Sequence, residues 1–158
     1  WGLSEIEAAE ELLPAQAIYF AMDEADVRRA LSHPRAMVGS DGIPGTDAPH
    51  PRLYGSFPRV LGYYSRQEGL FGLETAVHKM TGHTASVFGF RDRGILRAGA
   101  IADITVFDPE VVLDRATFEK PTTLSDGIVH VIVSGDVIWE NGRQTAARPG
   151  KFVRRDVS

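Results

Sequence analysis

Val38-Gly39-Ser40-Asp41-Gly42 is the stretch on which the fold turns. It reads as a short apolar strand, 36–39, running into an acid on a glycine turn. In a parallel barrel, Asp41 would stand at the carboxyl end of that strand, where such folds place catalytic groups. The plainer role for the same carboxylate is an Asx-turn. Upstream, Ser4 and Glu7 have capping-box spacing, and Ile6, Ala9, Leu12 and Leu13 continue a helical stripe that Pro14 stops. Residues 15–20 read as a second strand. Asp23 caps a helix carrying Ala25, Val27, Ala30 and Leu31, closed by His33-Pro34. Helix, strand, helix, strand is the order that βα units of a parallel sheet produce.

Downstream, 41–55 reads as a long loop holding Pro44, Pro49 and Pro51 with Gly42, Gly45 and Gly55. Loops of this length in compact domains often carry function. Helices are expected over 58–66, 72–81 and 84–88, with Leu73, Ala76, Val77 and Met80 on one face and Gly89 as a terminator. After Gly94 the pattern turns to β. A strand is expected over 103–107, then a turn at Asp108-Pro109, then strands over 128–134 and 137–140 around a hairpin signal at Gly135-Asp136. Asn141-Gly142 is a second turn signal, and the basic tail 151–158 reads as a solvated end.

Composition narrows the function classes. The 158 residues are 43% hydrophobic and 24% charged, an ordinary globular balance. A net charge of −4 argues against a nucleic-acid binder. Zero cysteines remove disulfides, thiolate catalysis and Cys-based zinc sites, and fit a cytoplasmic location. No apolar run approaches the ~20 residues that span a bilayer, so no membrane partner is expected. Trp1 opens the chain with neither an initiator Met nor a signal-peptide pattern, which leads us to expect a processed or truncated product.

Few side chains stand in a chemical constellation. Arg52, stiffened by Pro51, could clamp a carboxylate through its two parallel N–H groups, or simply join a surface salt bridge. His50 lacks a His or Glu at ligand spacing, and His78 and His83 read as structural. Ser40, Ser56 and Ser65 have no nucleophile-elbow context, and no phosphate-binding Gly-rich loop with Lys-Ser/Thr occurs.

Three blocks carry a family resemblance. Ser40-Asp41-Gly42 followed by His50-Pro51-Arg52-Leu53-Tyr54-Gly55-Ser56-Phe57-Pro58-Arg59-Val60-Leu61-Gly62 resembles the D-aminoacylase (N-acyl-D-amino-acid deacylase) branch of the amidohydrolase superfamily. Asp92-Arg93-Gly94-Ile95-Leu96-Arg97-Ala98-Gly99, leading into Ala102-Asp103-Ile104-Thr105-Val106-Phe107-Asp108, is similar to the passage from the amidohydrolase barrel into its small sandwich domain. GIVHVIVSGDVIWENGRQTAARPG at 127–150 looks like the closing hairpin and tail. Gly82-His83-Thr84 and Gly45-Thr46 depart from the family pattern.

The resemblance implies an α/β fold: the last βα units of an amidohydrolase (β/α)8 barrel, 1–93, followed by the C-terminal part of a small β-sandwich domain with its tail, 94–158. It implies a metal-dependent hydrolase that cleaves N-acyl-D-amino acids to a carboxylate and a free D-amino acid. Asp41 would be the acid at the end of the last barrel strand, taking a proton from a water acidified by zinc and passing it to the departing amine. Arg52 would hold the substrate's α-carboxylate. The family's His-x-His motif and its other metal ligands have no counterpart here, so no certain metal ligand lies in this chain and Asp41 is at most a weak one. Zinc ligands are expected in a missing N-terminal segment or chain, and the 158 residues alone are expected to be inactive. The competing readings are a cyclic amidase or dihydroorotase-like amidohydrolase, and a non-catalytic truncated sandwich module that acts through protein contacts.

Overall fold

The computed structural model describes residues 2–14, 18, 20–45 and 48–154. Helix α1, Glu5–Leu12, opens with the expected capping box: Ser4 accepts from the Glu7 amide while the Glu7 carboxylate accepts from the Ser4 amide. Helix α2, Glu24–Ser32, is capped by Asp23, whose side chain accepts from the Ala25 amide at 2.7 Å. Neither helix buries a residue.

Between and after these helices the structure departs from the βα reading. The strand expected over 15–20 falls largely outside the described residues, and Ile18 and Phe20, which are described, belong to no strand. Residues 36–39 are also not a strand. A parallel strand exists only through a ladder with neighbours, and among the described residues no parallel partner lies beside this run; the Val38 amide donates instead to the Lys79 carbonyl at 3.4 Å.

The expected loop over 41–55 ends early. Helix α3, Arg52–Arg59, starts directly after Pro51, so Arg52 is helical rather than in a loop. Pro51 has the preset φ of a helix start, and His50 does the capping: its Nδ1 accepts from the Arg52 amide at 3.0 Å and its carbonyl from the Leu53 amide at 3.0 Å. Pro58 sits inside this helix and cannot donate to the carbonyl of Tyr54 four residues back. Ser125 supplies the lost donor, its Oγ lying 3.2 Å from that oxygen. Beyond Pro58 the helix widens into a π-helical stretch, Val60–Gln67. Helices α4, Leu73–Met80, and α5, Gly82–Phe88, follow as expected, and Gly89 closes α5 in the left-handed conformation at φ 78°.

The second half is one antiparallel sheet of order β1-β2-β3-β4: β1 Ile104–Phe107, β2 Ile128–Val133, β3 Asp136–Glu140 and β4 Arg143–Gln144. The hairpin turn lies one residue before the expected one. Val133 pairs with Asp136, so Ser134 and Gly135 are the loop, at φ 52° and 89°. Asn141 and Gly142, at φ 50° and 73°, turn β3 into β4, a strand absent from the sequence reading. Two positive φ values in a two-residue loop mark the turn whose twist suits a hairpin.

The core lies where the π-helical stretch meets the connection between β1 and β2. Val60, Leu61, Tyr64, Ala76 and Val112 form it, with Phe107 and Ile128 of the sheet packed alongside. Val112 is fully buried, and Gly62 makes its approach possible: a Cβ there would lie 2.2 Å from the Val112 carbonyl oxygen. Arg66 then satisfies that carbonyl, donating from Nη1 to Val112 O at 2.9 Å and to Pro109 O at 2.7 Å. Among the described residues no helix is long and apolar enough to cross a membrane.

Candidate functional site

The structure brings Asp41 and Arg52 into direct contact. Asp41 stands at φ 48°, a left-handed conformation that Asp tolerates better than most residues. Gly42 follows it because Leu53 leaves no room: a Cβ on Gly42 would lie 2.8 Å from the Leu53 side chain. The turn is fixed on the other side by Ser40, whose Oγ accepts from the Gly42 amide at 3.3 Å. Ser40, and not Asp41, therefore makes the local turn bond. The Asp41 carboxylate is left 82% exposed, with Oδ2 3.0 Å from Arg52 Nη2. Arg52 also donates from Nε to the Asp41 carbonyl at 2.8 Å, so its fork grips both the main chain and the side chain of one residue.

His50 stands behind this pair. Burial comes first and the Arg52 charge second in holding its imidazole below the ordinary value, while Asp41 pulls the other way. A neutral ring with Nδ1 accepting from the Arg52 amide carries its proton on Nε2. Phe118, from the connection between β1 and β2, packs edge-on against His50 at 5.2 Å and against Phe20 at 4.9 Å. His78 and His83 lie apart from the pair, their rings 5.6 Å from each other, and His83 Nε2 donates to the Arg35 carbonyl at 3.2 Å. Among the described residues no three His, Cys, Asp or Glu side chains gather as a metal site. A shallow cleft of about 320 Å³ between α3 and the sheet, lined by Tyr54, Pro58 and Trp139, includes neither Asp41 nor Arg52.

One residue near the site escaped the sequence reading. Lys79 is only 3% exposed, and its ammonium donates to the carbonyls of His33 at 2.5 Å and Ala36 at 3.3 Å. A lysine late in an amphipathic helix ordinarily reads as solvated. The available signal was its place three residues after Ala76, which is wholly buried.

A protein-family model described as the amidohydrolase family matches residues 3–139. The chain belongs to the amidohydrolase family. It is 53% identical to an N-acyl-D-glutamate deacylase of Alcaligenes xylosoxydans xylosoxydans over 158 residues, which are 100% of this chain and 32% of that protein. It is 53% identical to a D-aminoacylase of the same organism over 157 residues, 99% of this chain and 32% of that one. The crystal structure of N-acyl-D-glutamate deacylase from Bordetella bronchiseptica, complexed with zinc and a phosphonate mimic of the tetrahedral intermediate, superposes with a TM-score of 0.90 at 53% identity. That match covers 96% of this chain and 32% of the other. This amidohydrolase chain thus spans about a third of the length of the relatives it matches.

Proposed function

We propose that this chain is the C-terminal portion of a zinc-dependent N-acyl-D-amino-acid deacylase. The observation that carries the reading is its similarity, along its whole length, to enzymes named for that reaction. In this reading 1–93 ends the catalytic (β/α)8 barrel, 94–158 contributes the C-terminal part of a β-sandwich, and the intact enzyme works in the cytoplasm. The antiparallel sheet β1–β4 and the high-scoring superposition support that architecture.

The described residues do not fit a zinc site by themselves, since Asp41 is a single carboxylate already paired with Arg52. Zinc enters through the relatives, and its ligands would lie in the remaining two-thirds of the enzyme. The chain's own contribution is a proton carrier and a carboxylate clamp. Hydrolysis breaks the amide C–N bond, adds a water oxygen to the acyl carbon and moves a proton to the departing amine. Asp41 is proposed to carry that proton, its carboxylate being exposed and held at a fixed backbone height. Arg52 is proposed to hold the substrate's α-carboxylate; its planar guanidinium already binds a carboxylate oxygen in this structure. A cyclic amide lacking that carboxylate would leave Arg52 only its bonds to Asp41.

The test is an assay of the full-length, zinc-loaded protein with N-acetyl-D-methionine, its L-enantiomer and dihydroorotate. Release of D-methionine alone is expected, and the 158 residues expressed separately should bind no stoichiometric zinc and turn over nothing. Turnover of dihydroorotate without D-methionine release would replace the reading.

A further inference from the structure

We propose that Lys79 is a positioning residue for Asp41, its buried ammonium tying the run before Asp41 to α4. The proposal rests on Asp41 being the proton carrier. Three observations support it independently of that role. First, Lys79 is buried yet, among the described residues, has no carboxylate partner; its bonds go to the His33 and Ala36 carbonyls. A buried cation without a carboxylate partner is expensive to keep, and among the described residues the two carbonyls and the Phe71 ring, 5.9 Å from the ammonium, offset that cost. Second, His33 is the C-cap of α2, and its carbonyl, which also accepts from the Ala36 amide at 3.0 Å, lies at the negative end of the helix, where a cation is favourable. Third, the run that the ammonium holds has no strand ladder. Its amide at Val38 bonds to the main chain of Lys79 itself, whose carbonyl also accepts from Thr84 Oγ1 at 2.8 Å.

Lys79 therefore grips this run twice, once by its side chain and once by its backbone, and α5 adds a grip through His83 on the Arg35 carbonyl. Three residues past Val38 comes Asp41, secured from the opposite side by Arg52 on its carbonyl. Removing the ammonium leaves the Ala36 carbonyl without its donor and frees the run upstream of Asp41 while leaving Arg52 in place. A misplacement near 1 Å at a reacting group can cost on the order of 10²-fold in rate. The substrate's binding contacts would be untouched, so the loss belongs in kcat and not in KM.

The experiment uses the full-length, zinc-loaded protein with Lys79→Met, assayed with N-acetyl-D-methionine and by hydrogen–deuterium exchange. The expected result is a fall in kcat of roughly 10–100-fold, with KM within about twofold, zinc content unchanged, and faster exchange confined to the peptide over 36–42. Exchange over β2 and β3 should not change, and Lys79→Arg should recover most of the lost kcat. Unchanged exchange over 36–42, a kcat near normal, or a loss shared equally by KM would overturn the proposal. If Lys79→Met does not accumulate, Lys79→Leu, which likewise removes the charge and the N–H donors, is read in the same way. Asp41→Asn is measured alongside: a near-normal kcat there removes the role of Asp41, whereas exchange reports on the anchor alone, so the two failures are distinguishable.

Discussion

The sheet at 104–144 and the helical run at 2–45 are both well specified locally, yet only the sheet pairs its elements with one another. Its strands pair in sequence order, and its two tight turns carry the positive φ values they require. The first two helices are capped just as properly, but no residue of α1 or α2 is fully buried, and only Val27 and Leu31 of α2 pack against the core. Ile6 is 73% exposed and Phe20 82%, although both sit in stretches patterned for burial. Caps and periodicity thus decide that an element forms, whereas burial depends on the surface opposite it. On the proposed reading, the apolar side chains of the first region face the rest of the barrel, and the acid it carries acts only there.

The largest effect expected from that contrast is on chemistry. Asp41→Asn in the full-length protein should lower kcat by roughly 10²–10⁴-fold, the span for a positioned acid–base group, with the unfolding midpoint barely moved. A steady-state assay beside a thermal melt checks both, and near-normal turnover would break the assignment. Next comes Arg52→Lys, which replaces a fork by a point charge and should weaken substrate binding by about 1.5–3 kcal/mol. The penalty should shrink for a substrate whose α-carboxylate is amidated; equal losses on both substrates would remove the clamp.

Gly62→Ala sharpens the other side of the comparison, because it attacks the core and not the site. Its new methyl would collide with the Val112 carbonyl, and overpacking of this kind costs about 1–3 kcal/mol. Denaturant titration should show the loss, while the kcat of the folded protein stays within about twofold. The smallest effect is one of pH. Folded His50 resists protonation, so as pH falls below the ordinary 6.5 the unfolded chain binds a proton that the folded chain does not. Stability should therefore decline as pH drops through that value and level off once folded His50 is also protonated. His50→Gln should flatten that part of the stability profile.

The sequence shows the capping box at Ser4, the cap at Asp23, the helix ending at Gly89, the β2–β3 hairpin to within one residue and the turn at Asn141-Gly142, because each depends on residues within a few positions of one another. It misplaces what depends on distant groups. The run at 36–39 has a strand's composition, but a strand needs a ladder, and its Val38 amide goes to Lys79 instead. Pro58 argues for a helix start there; the helix instead begins at Arg52, where Pro51 and the His50 cap start it, and Ser125 serves the carbonyl that Pro58 abandons. At the candidate site, Asp41 and Arg52 were both legible as residues. Their mutual bond was not, nor was the buried Lys79, since nothing in their spacing announces a contact across the turn or a cation below it.

The bond from Ser125 to Tyr54 joins positions 71 residues apart. A chain emerging from its N-terminal end must therefore leave the Tyr54 carbonyl to water until the segment before β2 arrives. Contacts at such separation raise contact order and slow the search for the native state. The turn of helix around Tyr54 should be among the last parts of the chain to gain protection during refolding, well after the local hairpin between β2 and β3. Order around Tyr54 is then a late event in the life of the polypeptide, set by when its second half is made.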